Sequence, residues 1–300
     1  MRNPYACGTK ESAMDDSFKH DYVTANGVKL HFVRQGSGEP VLLIHGWPGF
    51  WYEWHLNIGP LSQEFDVIAP DMRGYGYSDK PDGEPQVDYS DTAFAEDILG
   101  ICDAFGFERV SLVAHDFGSM WAQRFARMHP ERLRKLVLFD PVYAGIGGRW
   151  FEMPHVFNVW YQLFHQQPWA EDVVGATREA TKTYVGHFLS AWSANKTLWT
   201  DEELERYADA YSQPGALRGG FNCYRASYRG AGNTDGNKKI ETPTLVLWAD
   251  SDPIIPFAWS DRIPEFFTDA VVKKIEGAGH FMMRETPDRV NAEIAGFLAS

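Results

Sequence analysis

Residues 109–119 read Arg109-Val110-Ser111-Leu112-Val113-Ala114-His115-Asp116-Phe117-Gly118-Ser119. The strand-forming run Arg109 to Val113 leads through the small Ala114 to an apex at Asp116, flanked by Gly118 and Ser119. Beyond it Met120-Trp121-Ala122-Gln123-Arg124-Phe125-Ala126 has the apolar spacing of a buried helix. A strand, a cramped turn and a helix lift the apex side chain above a sheet, with the positive end of the helix aimed at it. Here that side chain is a carboxylate. A carboxylate attacks esters poorly, but it displaces a strained or departing heteroatom from an sp3 carbon. It then becomes an ester that histidine-activated water can cleave.

Outward from this turn the chain alternates strands with helices. Asp21 to Val33 reads as two strands joined at Asn26-Gly27, a strong hairpin signal. Val41-Leu42-Leu43-Ile44 is a continuous apolar run, as in a parallel strand covered on both faces, and it ends in the loop His45-Gly46-Trp47-Pro48-Gly49. Further strands are expected at 66–71, 133–140, 243–248 and 270–275, with helices at 91–105 and 287–298. From Pro141 to Asp235 buried-strand runs give way to aromatic helical patterns carrying Trp150, Trp160, Trp169, Trp192 and Trp199. The expected architecture is α/β, a mostly parallel sheet with helices on both faces and an inserted helical lid over the carboxyl ends of its strands. Its divisions are a loose leader at 1–18, a first core part at 19–140, the lid at 141–235 and a second core part at 236–300.

Composition narrows the partners. Three hundred residues suit one large domain with an insertion. A formal charge of −13 opposes nucleic acid and anionic membranes. Cys7, Cys102 and Cys223 are too few and too scattered for a disulfide framework or a zinc site. No apolar run reaches membrane-spanning length, and the polar start carries no signal-peptide pattern, which together read as a cytoplasmic enzyme. There is no HExxH motif and no complete dinucleotide fingerprint, so no cofactor and no metal ion is expected. Substrate and water are the partners called for; a homodimer is the one further association left open.

An ester on Asp116 needs a base, and His280 in Gly277-Ala278-Gly279-His280-Phe281 follows the last strand, where glycines let the loop turn sharply. Two carboxylates compete to orient its imidazole: Asp252, in the loop after the penultimate strand, and Asp140, at the end of the strand after the elbow. Asp252 is preferred, and Asp250 stands behind both. Backbone N–H groups should receive the oxyanion formed when water attacks the ester, those of Phe117 and Trp47 being best placed. His45 reads as a brace for the loop that holds Trp47.

Together these motifs resemble the α/β-hydrolase superfamily from the hairpin to the last helix. Two lid segments are similar to those of its epoxide hydrolases: Trp160-Tyr161-Gln162 resembles the first lid motif, and Phe221-Asn222-Cys223-Tyr224-Arg225 the second. The resemblance implies that Tyr161 and Tyr224 donate hydrogen bonds to the epoxide oxygen, that the product is a vicinal diol, and that the substrate is apolar. Phe117 stands where that family usually has Trp, Trp47 where Phe is common, and Cys223 where a bulkier aromatic is frequent. The related haloacetate dehalogenases place Arg directly after the nucleophile, which Phe117 does not supply. Haloalkane dehalogenases hold the halide with N–H donors, a role Trp47 and the lid tryptophans keep open. A ligand-binding relative without turnover is the third reading.

Overall fold

The structure is a computed structural model that describes residues 18–229, 236 and 238–300. The expected leader and Cys7 fall almost wholly outside the described residues, as does the end of the expected lid.

Eight strands form one sheet: β1 (Lys19–Ala25), β2 (Val28–Gly36), β3 (Glu39–Ile44), β4 (Phe65–Pro70), β5 (Val110–His115), β6 (Leu133–Phe139), β7 (Thr244–Ala249) and β8 (Ala270–Ile275). Their spatial order is β1-β2-β4-β3-β5-β6-β7-β8. Only β2 runs against its neighbours, pairing antiparallel with β1 and β4; β3 to β8 are parallel. The β1–β2 hairpin turns at Asn26 and Gly27, both at positive φ (48° and 75°), as a two-residue turn of matching twist requires.

Every residue of β4, β5 and β7 is buried, which explains their unbroken apolar runs. β8 closes the sheet and alternates in exposure instead. The helix Asp91–Phe105 starts where Ser90 Oγ accepts the Ala93 N–H (3.2 Å) and stops at Gly106, left-handed at φ 71°. Between β6 and β7 the described residues hold helical segments and no strand. The longer ones are Arg178–Trp192, Asp201–Tyr211, which carries a capping box from Thr200 and Glu203, and Ala216–Arg229. Reversal of order about β3, whose neighbours are β4 and β5, puts a crevice beyond the carboxyl ends of β3 and β5. The candidate site lies there.

Candidate active site

The β5 strand runs two residues further than the sequence indicated, through His115, and Asp116 caps the helix Phe117–Met128 at φ 50°, ψ −119°. Such a backbone costs roughly 1–3 kcal/mol and persists only where packing enforces it. The enforcement is visible at two glycines. A Cβ at Gly46 would lie 2.5 Å from Asp116 Cβ, and one at Gly118 would lie 2.5 Å from the Ile44 carbonyl oxygen. The loop after β3 therefore closes directly over the elbow. There the Trp47 N–H donates to Asp116 Oδ2 (3.0 Å). Phe117 is the first residue of its helix, so its N–H has no partner within the helix. His45 braces this loop: its Nδ1 bonds the Gly46 carbonyl (2.9 Å) and its Nε2 accepts the Met72 N–H (3.0 Å).

His280 is buried, and its Nδ1 lies 2.7 Å from Asp252 Oδ2. Asp252 Oδ1 in turn accepts the N–H groups of Ile254 (2.7 Å) and Ile255 (3.0 Å), so the carboxylate is fixed before it meets the ring. Asp140 makes a different bond: Oδ1 accepts the Ala249 N–H (2.9 Å) across to β7, and burial followed by the Asp252 charge holds its carboxyl well above the usual range. Asp250 Oδ1 is taken by Ser251 and the Gly277 N–H. Burial alone would lower the His280 pKa; the Asp252 charge and hydrogen bond, then Asp116 and Glu53, outweigh it and raise it to about 9. The histidine loop is tied to the lid, since the His280 N–H donates to the Trp192 carbonyl (2.9 Å) and Gly279 leaves that carbonyl the room a Cβ would take. Glu285 Oε2 receives Ala194 and Asn195 N–H while its Oε1 receives Gly279 N–H, joining lid and loop at one carboxylate.

A second buried pair stands behind His280, and sequence reading missed it. His115 Nδ1 lies 2.9 Å from Glu53 Oε1, and the His115 and His280 ring centroids are 4.5 Å apart. Burial pushes the Glu53 carboxyl up to about 7 against the charges of His45, His280 and Arg284. Burial, then His280, drives His115 down to about 3 and keeps it neutral. A carboxyl raised from 4.5 to about 7 contributes stability that is complete below pH 4.5 and is lost as pH rises through 7. The difference is worth about 3 kcal/mol. Glu53→Gln keeps an acceptor for the His115 Nδ1–H and removes the titration. Relative to wild type it should gain about 3 kcal/mol in urea unfolding between pH 4.5 and pH 8. His115 contributes the opposite slope to both proteins and cancels in the difference. A difference that stays flat with pH would mean that Glu53 titrates normally.

Asp116 opens into a cavity of about 370 Å³. Tyr161 and Tyr224 line it with Asp116, both nearly fully buried, their rings edge to face at 5.5 Å. Burial above all, with the Asp116 charge adding to it, holds both phenols above the ordinary tyrosine range, so both are protonated donors. Gln162 sets the direction of the first: its Nε2 donates to the Tyr161 oxygen (3.1 Å), while its Oε1 accepts from Tyr228 (2.8 Å) and Trp150 Nε1 (3.3 Å). The two phenols also share a side-chain hydrogen bond, so Gln162 and Tyr224 together hold the Tyr161 oxygen in place.

The tryptophans need correction. Of the five in the expected lid, only Trp150 lines this cavity; Trp160 and Trp169 are about half exposed. Trp47 Nε1 faces Gly220, where a Cβ would stand 3.1 Å away, and Trp47 is not among the cavity's lining residues. The apolar wall is made instead by Phe117, Met120, Val142, Ile146 and Ile254 with the mouth residue Phe151. No Arg or Lys lines the cavity among the described residues.

This fold and this elbow define a class. The chain belongs to the α/β-hydrolase family: the alpha/beta hydrolase fold pattern matches residues 39–287. Within that class it is an epoxide-hydrolase-like member. It is 29% identical over 287 residues to the soluble epoxide hydrolase of Corynebacterium sp., covering 92% of this chain and 96% of that one. It is also 29% identical over 303 residues to a fluoroacetate dehalogenase of Burkholderia sp., covering 95% of each. The ligand-free structure of an epoxide hydrolase superimposes with a TM-score of 0.82 at 26% identity, covering 94% of this chain and 99% of that one. Among the described residues no helix is long and apolar enough to cross a membrane.

Proposed function

We propose that this protein hydrolyses apolar epoxides to vicinal diols through an ester on Asp116. One observation carries the reading: a carboxylate and two protonated phenols share one apolar cavity, among whose described lining residues there is no Arg or Lys. Asp116 attacks an epoxide carbon as the C–O bond breaks, and a phenol of Tyr161 or Tyr224 passes its proton to the departing oxygen. Ester formation removes the Asp116 charge, one of those that raise the His280 pKa, so His280 gives up its proton more readily, and that proton passes through water to the phenolate and restores the phenol. The neutral imidazole, oriented by Asp252, then takes a proton from water. The resulting hydroxide adds to the ester carbon, and the oxyanion rests on the Trp47 and Phe117 N–H groups. Collapse expels the alkoxide, which takes the proton from His280; the Asp116 carboxyl then gives its own proton to the imidazole, restoring both the carboxylate and the charged ring.

The dehalogenase alternative uses the same carboxylate and imidazole, but a haloacid brings a charge for which the described residues lining this cavity offer no Arg or Lys. A haloalkane lacks the paired indole donors it would need, because the Trp150 N–H is committed to Gln162 and Trp47 is not among the residues that line the cavity. Incubation with a mixed panel of epoxides and organohalides, reading diol and free halide together, tests the choice. Diol without halide is expected; halide release with no diol would overturn it. Tyr161→Phe and Tyr224→Phe should each slow ester formation by about 10²–10³-fold, the range for one preorganised donor. Stopped-flow quenching of the tryptophan fluorescence measures that step. Unchanged alkylation in both variants would remove the phenols from the scheme.

A further inference from the structure

We propose that His115, Asp140 and His280 together bind one divalent transition-metal ion of the zinc type, and that the ion inhibits the enzyme. Sequence spacing gives no hint of this site, because its members end β5, follow β6 and lie in the loop after β8. In space one donor atom from each lies within 4.8 Å of the others. All three side chains are buried, at 0%, 0% and 1% exposure. His115 Nε2, Asp140 Oδ2 and His280 Nε2 have no hydrogen-bond partner among the described residues.

The surroundings are those of a metal site as well. Each imidazole has its other nitrogen on a carboxylate, His115 on Glu53 (2.9 Å) and His280 on Asp252 (2.7 Å). Such outer carboxylates fix the rings, and the bound ion displaces the protons otherwise held on His280 Nε2 and on the Asp140 carboxyl. The Ala249 N–H pins the second oxygen of Asp140. Two imidazoles and one carboxylate match zinc, which takes three protein ligands and leaves a fourth place to water; magnesium and calcium prefer all-oxygen shells. Neighbouring donors around tetrahedral zinc stand about 3.4 Å apart, so separations of up to 4.8 Å close by at most about 1.4 Å on binding. Inhibition follows because a His280 Nε2 that holds a metal cannot take a proton from water. The inhibition rests on the proposed epoxide hydrolysis; binding itself does not.

The test titrates the full-length, chelator-treated protein with Zn²⁺ by calorimetry and with Co²⁺ by visible absorption. One ion per chain is expected, with the cobalt bands of a low-coordinate nitrogen–oxygen site. Diol formation should fall along the same saturation curve and return on adding EDTA. Asp140→Asn retains an acceptor for Ala249 and should weaken binding at least about tenfold. His115→Gln, on a different strand, should do the same, so a folding defect in one variant leaves the other. The exposed His187→Ala should bind as wild type does. No ion bound, wild-type affinity in both ligand variants, or a bound ion without inhibition would each overturn the proposal. Should the protein prove inactive on every epoxide, the calorimetry and cobalt spectra still decide the site.

Discussion

Asp116→Ala is expected to abolish diol formation, lowering kcat/KM by at least about 10⁴-fold, because the substitution removes the atom that bonds to substrate carbon. The side chain's one backbone partner at the loop, the Trp47 N–H, loses an acceptor, but the elbow itself is held by Gly46 and Gly118 packing. The fold should therefore persist, with a thermal unfolding midpoint close to that of wild type. Measured epoxide turnover in a folded Asp116→Ala protein, above the level of a buffer blank, would contradict the assignment. Protein in which both turnover and folding are lost is set aside in favour of Asp116→Asn, which preserves the shape and cannot form the ester.

His280→Gln should produce a different failure. Ester formation needs Asp116 and the phenols, so one equivalent of epoxide per chain is consumed in a burst. Hydrolysis then stalls, slowed by about 10³–10⁴-fold, toward the upper end of what a positioned general base supplies. Intact mass should rise by the mass of one epoxide, and peptide mapping should place the added mass on Asp116. The His280–Asp252 contact of 2.7 Å raises the pKa of this imidazole to about 9, with the nucleophile's charge adding to it, and marks it as the proton carrier of the second step. A variant that turns over slowly but never accumulates the adduct would show that His280 acts before the ester forms.

The framework was legible because its signals are local. The unbroken apolar run at Val41 to Ile44 reported burial on both faces, and Asn26-Gly27 reported a turn that needs two positive φ values. The elbow was legible because an apex between small residues has few other uses. The choice between Asp252 and Asp140 was not, since both follow neighbouring strands, β7 and β6, where spacing cannot say which carboxylate turns to the ring. In the structure Asp140 is spent on the Ala249 N–H, and Asp252 is aligned by two backbone donors. Glu53 and His115 escaped notice because 62 residues separate them and each alone resembles a core or loop residue. The tryptophans of the lid misled, because composition does not reveal which face of a short helix turns inward. Trp160 and Trp169 turn out, and the cavity wall falls to aliphatic residues and phenylalanine.

The central claim is that carbon bonds to Asp116 before water enters. A single turnover in H₂¹⁸O, with enzyme in excess over epoxide, reads this directly. The account predicts a diol without ¹⁸O from the first turnover and ¹⁸O in the tryptic peptide Val110–Arg124, at the Asp116 carboxylate. A first-turnover diol carrying ¹⁸O, with that peptide unlabelled, would mean that water attacks the epoxide itself and would contradict it.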